Sequence, residues 1–210
     1  MSILKPTRLD IEYPKQIKKY SAMLRLWHWS NIVVISGSLV TVLINSTLFE
    51  DKILRSDNAS KSLIEALEDK IWGVHIYFGY ALAALFLFRI MLEFFQHPEE
   101  RFFYHFEVAY RDYFILKHNS VSAKHELMVR IIYLVFYGLL VIMAISGLIL
   151  AFEDQLGLQK PVAHQVKEFH GFCMYLILVF ILVHLTGVFI AERKNSKGIV
   201  SDMINGGKHA

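Results

Sequence analysis

The sequence contains a single cysteine, Cys173, among 210 residues. One thiol excludes an internal disulfide, a cysteine-rich zinc site and an iron–sulfur cluster with four cysteine ligands. The motif Cys-x-x-Cys-His is also absent, so a covalently attached c-type haem is not expected. The net charge is only +3, and no stretch of the chain has the clustered basic residues typical of nucleic-acid binding.

Hydrophobic residues, in contrast, are abundant. They make up 55% of the chain, and the mean hydropathy is +0.40, whereas soluble domains are about 45–50% apolar. Four apolar runs are long enough to cross a bilayer as helices, which takes about 20 residues. They cover roughly residues 26–48, 71–95, 127–152 and 170–191. The sequence therefore predicts an all-α membrane protein, a single domain over residues 1–210 built as a four-transmembrane-helix bundle.

The polar connections predict the orientation of this bundle. The segment at about 100–118 is rich in Phe and Tyr, which favours a helix lying at the lipid interface. Of the 22 Lys and Arg residues, 16 fall on the side that carries both termini and this segment. The positive-inside rule then places both termini in the cytoplasm of a multi-pass protein.

Four of the ten histidines lie within the predicted spans or at their ends, namely His28, His75, His170 and His184. A histidine in a membrane is a functional candidate, because an unpaired polar side chain is unfavourable there. His184 follows His170 by 14 residues, about four helical turns and about 21 Å, so both share one helix face at two depths. His28 matches the depth of His184, and His75 matches that of His170. The pattern predicts two haem sites between the helices, with the His75/His170 pair toward the outside and the His28/His184 pair toward the cytoplasm.

Other interpretations stay open from the residues alone. Any one of these histidines is also explained as an imidazole hydrogen-bonded between helices or placed among lipid headgroups. Two zinc sites fit less well, since each depth offers two ligands and zinc prefers four. His164 rivals His170 as the outer ligand, although it lies outside the apolar run and follows Pro161. A haem-free helical scaffold or metal carrier is the alternative of a different class.

Two glycines are candidates for surfaces that contact a flat macrocycle. Gly37 lies nine residues after His28, and Gly79 lies four residues after His75. Each therefore lies on nearly the same helix face as its histidine. Ordinary small-residue packing between membrane helices is the alternative for both.

Two arginines are candidates for binding haem propionates. Arg25 precedes His28 by three residues, and Arg89 follows His75 by fourteen. A guanidinium group suits a carboxylate partner. Both residues are explained equally well as cytoplasmic anchors under the positive-inside rule.

Taken with these residues, the chain resembles the b-type cytochrome subunits of membrane-bound nickel–iron hydrogenases and the related gamma subunits of formate dehydrogenase. The resemblance rests on Arg-Leu-Trp-His-Trp at 25–29, on His75, on the pair His170 and His184, and on Gly-Ile-Val-Ser-Asp-Met-Ile-Asn-Gly at 198–206. It covers nearly the whole chain, which it identifies as one cytochrome b membrane domain. The tail segment points to the hydrogenase branch.

The resemblance implies a di-haem b-type cytochrome of the bacterial cytoplasmic (inner) membrane. It implies that the four histidines are axial ligands of two haem b groups. Electrons would pass between a periplasmic redox partner, such as a hydrogenase small subunit, and membrane quinone, either menaquinone or ubiquinone. The expected partners are thus lipid, quinone and this periplasmic subunit, with a homodimer left open.

The direction of electron flow is open as well, and so is whether the chain is an enzyme or an electron-transfer subunit of an oxidoreductase complex. The alternative function is a stand-alone quinol-oxidising cytochrome b that serves another acceptor, such as a periplasmic cytochrome or superoxide.

Overall fold

The computed structural model describes residues 20–49, 58–95, 101–115, 121–194 and 198–206. Every element in these ranges is helical. In chain order the helices are α1 (Ala22–Ile44), α2 (Asn58–Phe95), α3 (Phe102–Tyr110), α4 (Val121–Ala151), α5 (Lys160–Lys194) and α6 (Ile199–Asn205). Short π-helical turns continue α1 over Asn45–Phe49 and α3 over Arg111–Ile115.

Helices α1, α2, α4 and α5 are long and apolar enough to cross a membrane. The prediction of an all-α fold with four spans is therefore confirmed. The outer surface of the bundle suits lipid, since apolar side chains such as Val33, Tyr77 and Leu182 are each about two-thirds exposed or more. In a bilayer these side chains would contact acyl chains rather than water.

Two of the spans begin well before the apolar runs that predict them. Helix α2 begins at Asn58 and α5 at Lys160, whereas the runs begin near residues 71 and 170. The extensions contain Ala, Leu, Glu and Lys, which are strong helix formers, so helix continues into polar sequence outside the hydrocarbon. Residues 62–70 are thus part of α2 and continuous with its membrane span. Helix α1 begins where Ser21 caps it, its hydroxyl accepting from the Leu24 backbone N–H at 3.3 Å.

The bundle is held together by contacts of α1 with α2, α2 with α4, and α4 with α5. Phe136 on α4 stacks on Phe180 of α5 with ring centroids 4.0 Å apart. The indole N–H of Trp27 on α1 donates to the Leu85 carbonyl of α2 at 2.8 Å. These contacts fix the rotation of the spans, and with it the direction in which their polar side chains point.

The aromatic segment expected at the lipid interface is helical over α3 and its π-helical continuation. Phe102 packs edge-on against Tyr137 of α4, with centroids 5.4 Å apart. Phe103 and Phe114 on the same segment are exposed. Residues 100 and 116–118 of the predicted segment lie outside the described residues.

The short helix α6 closes one end of the bundle by docking on the start of α1. The Arg25 guanidinium donates to the Ile204 carbonyl, and the Trp29 indole donates to that of Met203 at 3.2 Å. Glu192, near the end of α5, accepts from the Gly198 backbone N–H at 2.8 Å. Gly198 has a φ of 91°, which only glycine adopts readily, and the chain turns there into α6. This docking places α6 beside the part of α1 that carries His28.

Candidate haem-binding sites

The fold brings the four membrane histidines together in two pairs. The imidazole centroids of His28 on α1 and His184 on α5 lie 6.4 Å apart. Those of His75 on α2 and His170 on α5 are also 6.4 Å apart. The four side chains are half-buried. The pairs are those that the spacing along the sequence predicts.

The separation within each pair fits two imidazoles that share one metal ion. A metal–imidazole bond is about 2 Å long and a ring nitrogen lies about 1 Å from the ring centroid, so opposed ligands have centroids about 6 Å apart. No group of three or more His, Cys, Asp or Glu residues could hold a metal within the described ranges. Two protein ligands per pair suit haem iron, because the porphyrin itself supplies four of the six ligands.

The two pairs lie at different depths. His170 and His184 are separated by 14 residues of continuous helix α5, which spans about 21 Å. On α1, the nearer of two hydroxyls beside His75 is that of Thr41, 13 residues beyond His28 and so about 20 Å from it along the helix. Both helices therefore give the same spacing between the pairs, which places two separate sites in the bundle.

Hydroxyl groups surround the His75/His170 pair. Thr41 Oγ1 lies 3.0 Å from His75 Nδ1, and Ser38 Oγ lies 3.3 Å from the same atom. Ser146 Oγ lies 2.8 Å from His170 Nδ1. Thr41 and Ser146 are buried. Both imidazoles are thus held through Nδ1, which leaves Nε2 as the nitrogen available to a metal.

The His28/His184 pair has an aromatic environment instead. The His184 ring is stacked on Phe180 at 5.9 Å, with an interplanar angle of 9°, and Tyr133 lies 6.5 Å away. Trp29 meets His28 edge-on at 5.6 Å. His28 Nδ1 is buried and has no hydrogen-bond partner among the described residues. Among the residues that the structure describes, the contacts of this pair are therefore aromatic.

The two predicted glycines differ in their surroundings. A Cβ atom at Gly79 would meet nothing within 4 Å, so no described side chain fills the space beside this glycine. A Cβ atom at Gly37 would overlap the ring of Phe78. The space beside Gly37 is thus filled by a side chain of α2, and in this structure Gly37 serves the packing of α1 against α2.

The two predicted arginines are held by protein groups. Arg89 Nη1 forms an ion pair with Glu93 Oε2 at 3.0 Å, and its Nε donates to the Tyr137 hydroxyl at 3.2 Å. Arg25 donates to the Ile204 carbonyl, while its Nε is buried without a partner among the described residues. Arg25 therefore has a buried donor without a partner among the described residues, which makes it the better candidate for a propionate.

His164 does not approach His75. Its side chain is 72% exposed and lies 3.9 Å from Glu168 on the same helix. The structure thus favours His170 over this rival as the partner of His75.

Sequence reasoning missed four residues of the His75/His170 site: Ser38, Thr41, Ser146 and Gly147. A Cβ atom at Gly147 would lie 3.3 Å from His170 Cε1, so this glycine makes room for the imidazole. The sequence does show that each of these four residues is small or hydroxylated and lies within an apolar span. Such residues are common in membrane helices, so only the packing of α1 and α4 against their neighbours singles these four out.

The fold and the paired imidazoles define a class: a helical integral-membrane protein arranged to hold a metal-containing prosthetic group between its spans. The model of the family described as prokaryotic cytochrome b561 matches residues 19–206, and the chain belongs to this family. It is a bacterial membrane b-type cytochrome, a haem protein of electron transfer. No curated protein and no solved structure matches the chain.

Proposed function

We propose that this protein is a di-haem cytochrome that transfers electrons across the bacterial inner membrane between a periplasmic redox partner and membrane quinone. The observation that carries the proposal is the presence of two histidine pairs with the same 6.4 Å separation. Their depths differ by about 21 Å along α5. A hydrocarbon core is about 30 Å thick, so two sites stacked in this way support transfer across the membrane rather than along one face.

In this proposal His28 and His184 hold one haem b, and His75 and His170 hold the second. A bound haem supplies a one-electron carrier. The protein would supply two imidazoles to each iron, their orientation and a surrounding of low dielectric, which together would tune the potential. Two imidazoles on each iron would leave it no position for a substrate, so a bound haem would carry electrons rather than bind a substrate.

The charge distribution gives the proposed orientation. The end of the bundle that carries His28, Arg25 and helix α6 is also the end with most Lys and Arg residues. The positive-inside rule places that end in the cytoplasm. The His75/His170 pair then lies toward the periplasm, where a redox subunit such as a hydrogenase small subunit would dock.

A second candidate function is a stand-alone quinol oxidase, which the connection between α4 and α5 favours. This connection covers only residues 152–159, and the Leu158 N–H closes it on the Glu153 carbonyl at 3.0 Å. A compact turn at the periplasmic end offers little polypeptide surface for a large partner. In that case the acceptor would be a small periplasmic cytochrome or superoxide.

Reduction assays on membranes containing the haem-loaded chain test the proposal. A short-chain menaquinol or ubiquinol is expected to reduce the b-type haem, as seen in the α band of the difference spectrum. Haem that is reduced by dithionite but by neither quinol would contradict the quinone part of the proposal.

The partner is tested by adding a hydrogenase large and small subunit pair together with hydrogen. Hydrogen-dependent haem reduction in the reconstituted complex supports the hydrogenase subunit. Quinol-dependent reduction of superoxide or a periplasmic cytochrome, with no response to hydrogen, supports the stand-alone function instead.

A further inference from the structure

Two of the three hydroxyls beside the His75/His170 pair, those of Thr41 and Ser146, have a second contact that fixes their hydrogen. Ser146 Oγ lies 2.7 Å from the Ile142 carbonyl oxygen as well as 2.8 Å from His170 Nδ1. Thr41 Oγ1 lies 2.6 Å from the Ser38 carbonyl oxygen as well as 3.0 Å from His75 Nδ1. A carbonyl oxygen only accepts, and a hydroxyl has one hydrogen to donate. Each hydroxyl therefore donates to its own helix backbone.

The hydroxyl oxygen is then left to accept from the imidazole. This requires the hydrogen of each neutral ring to be on Nδ1, so that Nε2 carries the free lone pair. Metal-ligating histidines usually donate their other ring N–H to such an acceptor, which fixes both tautomer and ring orientation. The two rings of this pair are thus prepared as Nε2 ligands by groups on α1 and α4.

The His28/His184 pair lacks this arrangement at His28, whose buried Nδ1 has no hydrogen-bond partner among the described residues. The ring centroids are equally far apart in the two pairs. The pairs differ in the hydrogen bonding of Nδ1, which has hydroxyl partners at His75 and His170 and none at His28 among the described residues. An imidazole that donates through Nδ1 is a stronger electron donor to iron, which favours the ferric state and lowers the reduction potential.

We infer that Thr41 and Ser146 are positioning residues that fix the Nδ1–H tautomers of His75 and His170, and so raise the haem affinity and lower the potential of that site. The inference rests on the proposed binding of one haem by each histidine pair. The two sites of one chain then differ chemically, and the His75/His170 site binds haem more tightly than the His28/His184 site.

Ser146 gives the sharper test, because it is the hydroxyl on His170, whereas His75 has Ser38 beside Thr41. The full-length, haem-loaded protein is compared in two forms, one with His184→Ala alone and one that also carries Ser146→Ala. The His184→Ala form is expected to keep only the His75/His170 haem, so that the redox titration reports a single site. Adding Ser146→Ala is expected to raise its potential and to weaken haem retention at least about ten-fold.

Two further variants separate positioning from a merely structural effect. Ser146→Thr keeps the hydroxyl and is expected to restore both the potential and the haem retention. Thr186→Val is the matched control, because the Thr186 hydroxyl donates to the Leu182 carbonyl at 2.7 Å in the same way but is exposed. This control is expected to leave the potential unchanged.

The result that overturns the inference is an unchanged potential and haem retention in Ser146→Ala, or an equal shift in Thr186→Val. A His184→Ala protein that folds without any haem is a different outcome. It would contradict the proposed pairing of the histidines and not the role of Ser146 alone.

Discussion

Arg89 and Glu93 lie one turn apart on α2 and form an ion pair of 3.0 Å between Nη1 and Oε2, with side chains only 9% and 14% exposed. The other carboxylate oxygen accepts from the backbone N–H of Phe103 at 3.1 Å, at the start of α3. Arg89 also lies 5.9 Å from the ring of Trp27 on α1. The pair thus connects α2 to α1 and α3, and through the Tyr137 hydroxyl to α4, and it binds Arg89 to protein rather than leaving it free for a propionate.

Removing Glu93 is expected to destabilise the protein, because it leaves the Arg89 charge buried without a partner. Breaking a buried ion pair from one side typically costs about 3–5 kcal/mol. We expect Glu93→Ala to lower the unfolding temperature in detergent, and the double variant Arg89→Met/Glu93→Leu to recover much of the loss. A double variant as unstable as the sum of both single variants would show that the two side chains act independently.

The sequence predicts that Gly37 faces a cofactor, whereas the structure shows it packed against α2. Substitution of this glycine tests which of the two roles it has. A Cβ at this position would overlap the Phe78 ring, and overpacking of this kind costs about 1–3 kcal/mol. We expect Gly37→Ala to lower the unfolding temperature, and the added change Phe78→Leu to restore it. If Gly37→Ala lost one haem while its stability stayed unchanged, the result would contradict the packing role and support the prediction that Gly37 faces the cofactor.

The histidine pairing is tested one site at a time. His184→Ala is expected to remove the haem at the His28/His184 site and to keep the other, since the two sites are about 21 Å apart along α5. His170→Ala is expected to remove the haem at the His75/His170 site and to keep the one at the His28/His184 site. His164→Ala is the control on the same helix, because its side chain is 72% exposed, and it is expected to retain both haems. Equal loss of both haems from folded His184→Ala protein, seen in the pyridine haemochrome assay, would contradict the pairing.

The orientation is tested with topology reporters. Alkaline phosphatase joined after residue 206 is expected to be inactive, because the proposed location of the C-terminal end is cytoplasmic. The same enzyme inserted within residues 152–159 is expected to be active. The reverse pattern of activity would show that the bundle has the opposite orientation, with the His28/His184 pair toward the periplasm.

The four spans could be predicted from the sequence because the bilayer requires long apolar runs. The ends of α2 and α5 could not be predicted in this way. Hydropathy marks where a helix enters the hydrocarbon, whereas helix formers such as those in 61–70 continue it through polar sequence. Apolar length thus predicted the number of membrane spans better than their bounds.

The proximity of the histidines was predictable because 14 residues of helix fix both depth and face. The contacts of Ser146 and Thr41 were not, since a hydroxyl in an apolar run gains its partner only from the rotation of a neighbouring helix. The packing role of Gly37 could not be predicted for the same reason. Helical periodicity gives the face of α1 on which Gly37 lies, but not the Phe78 ring of α2 that occupies the space beside it. The Arg89–Glu93 pair, by contrast, has the i, i+4 spacing typical of helix ion pairs, and that spacing could have identified Glu93.

The number of haem groups per polypeptide is the sharpest test of the di-haem proposal. Purified full-length protein should give a haem b to chain ratio of two in a pyridine haemochrome assay calibrated by amino-acid analysis. Two resolved steps in its redox titration would accompany that ratio. A ratio of one in folded, fully loaded protein would leave one of the two histidine pairs without iron and contradict the di-haem proposal.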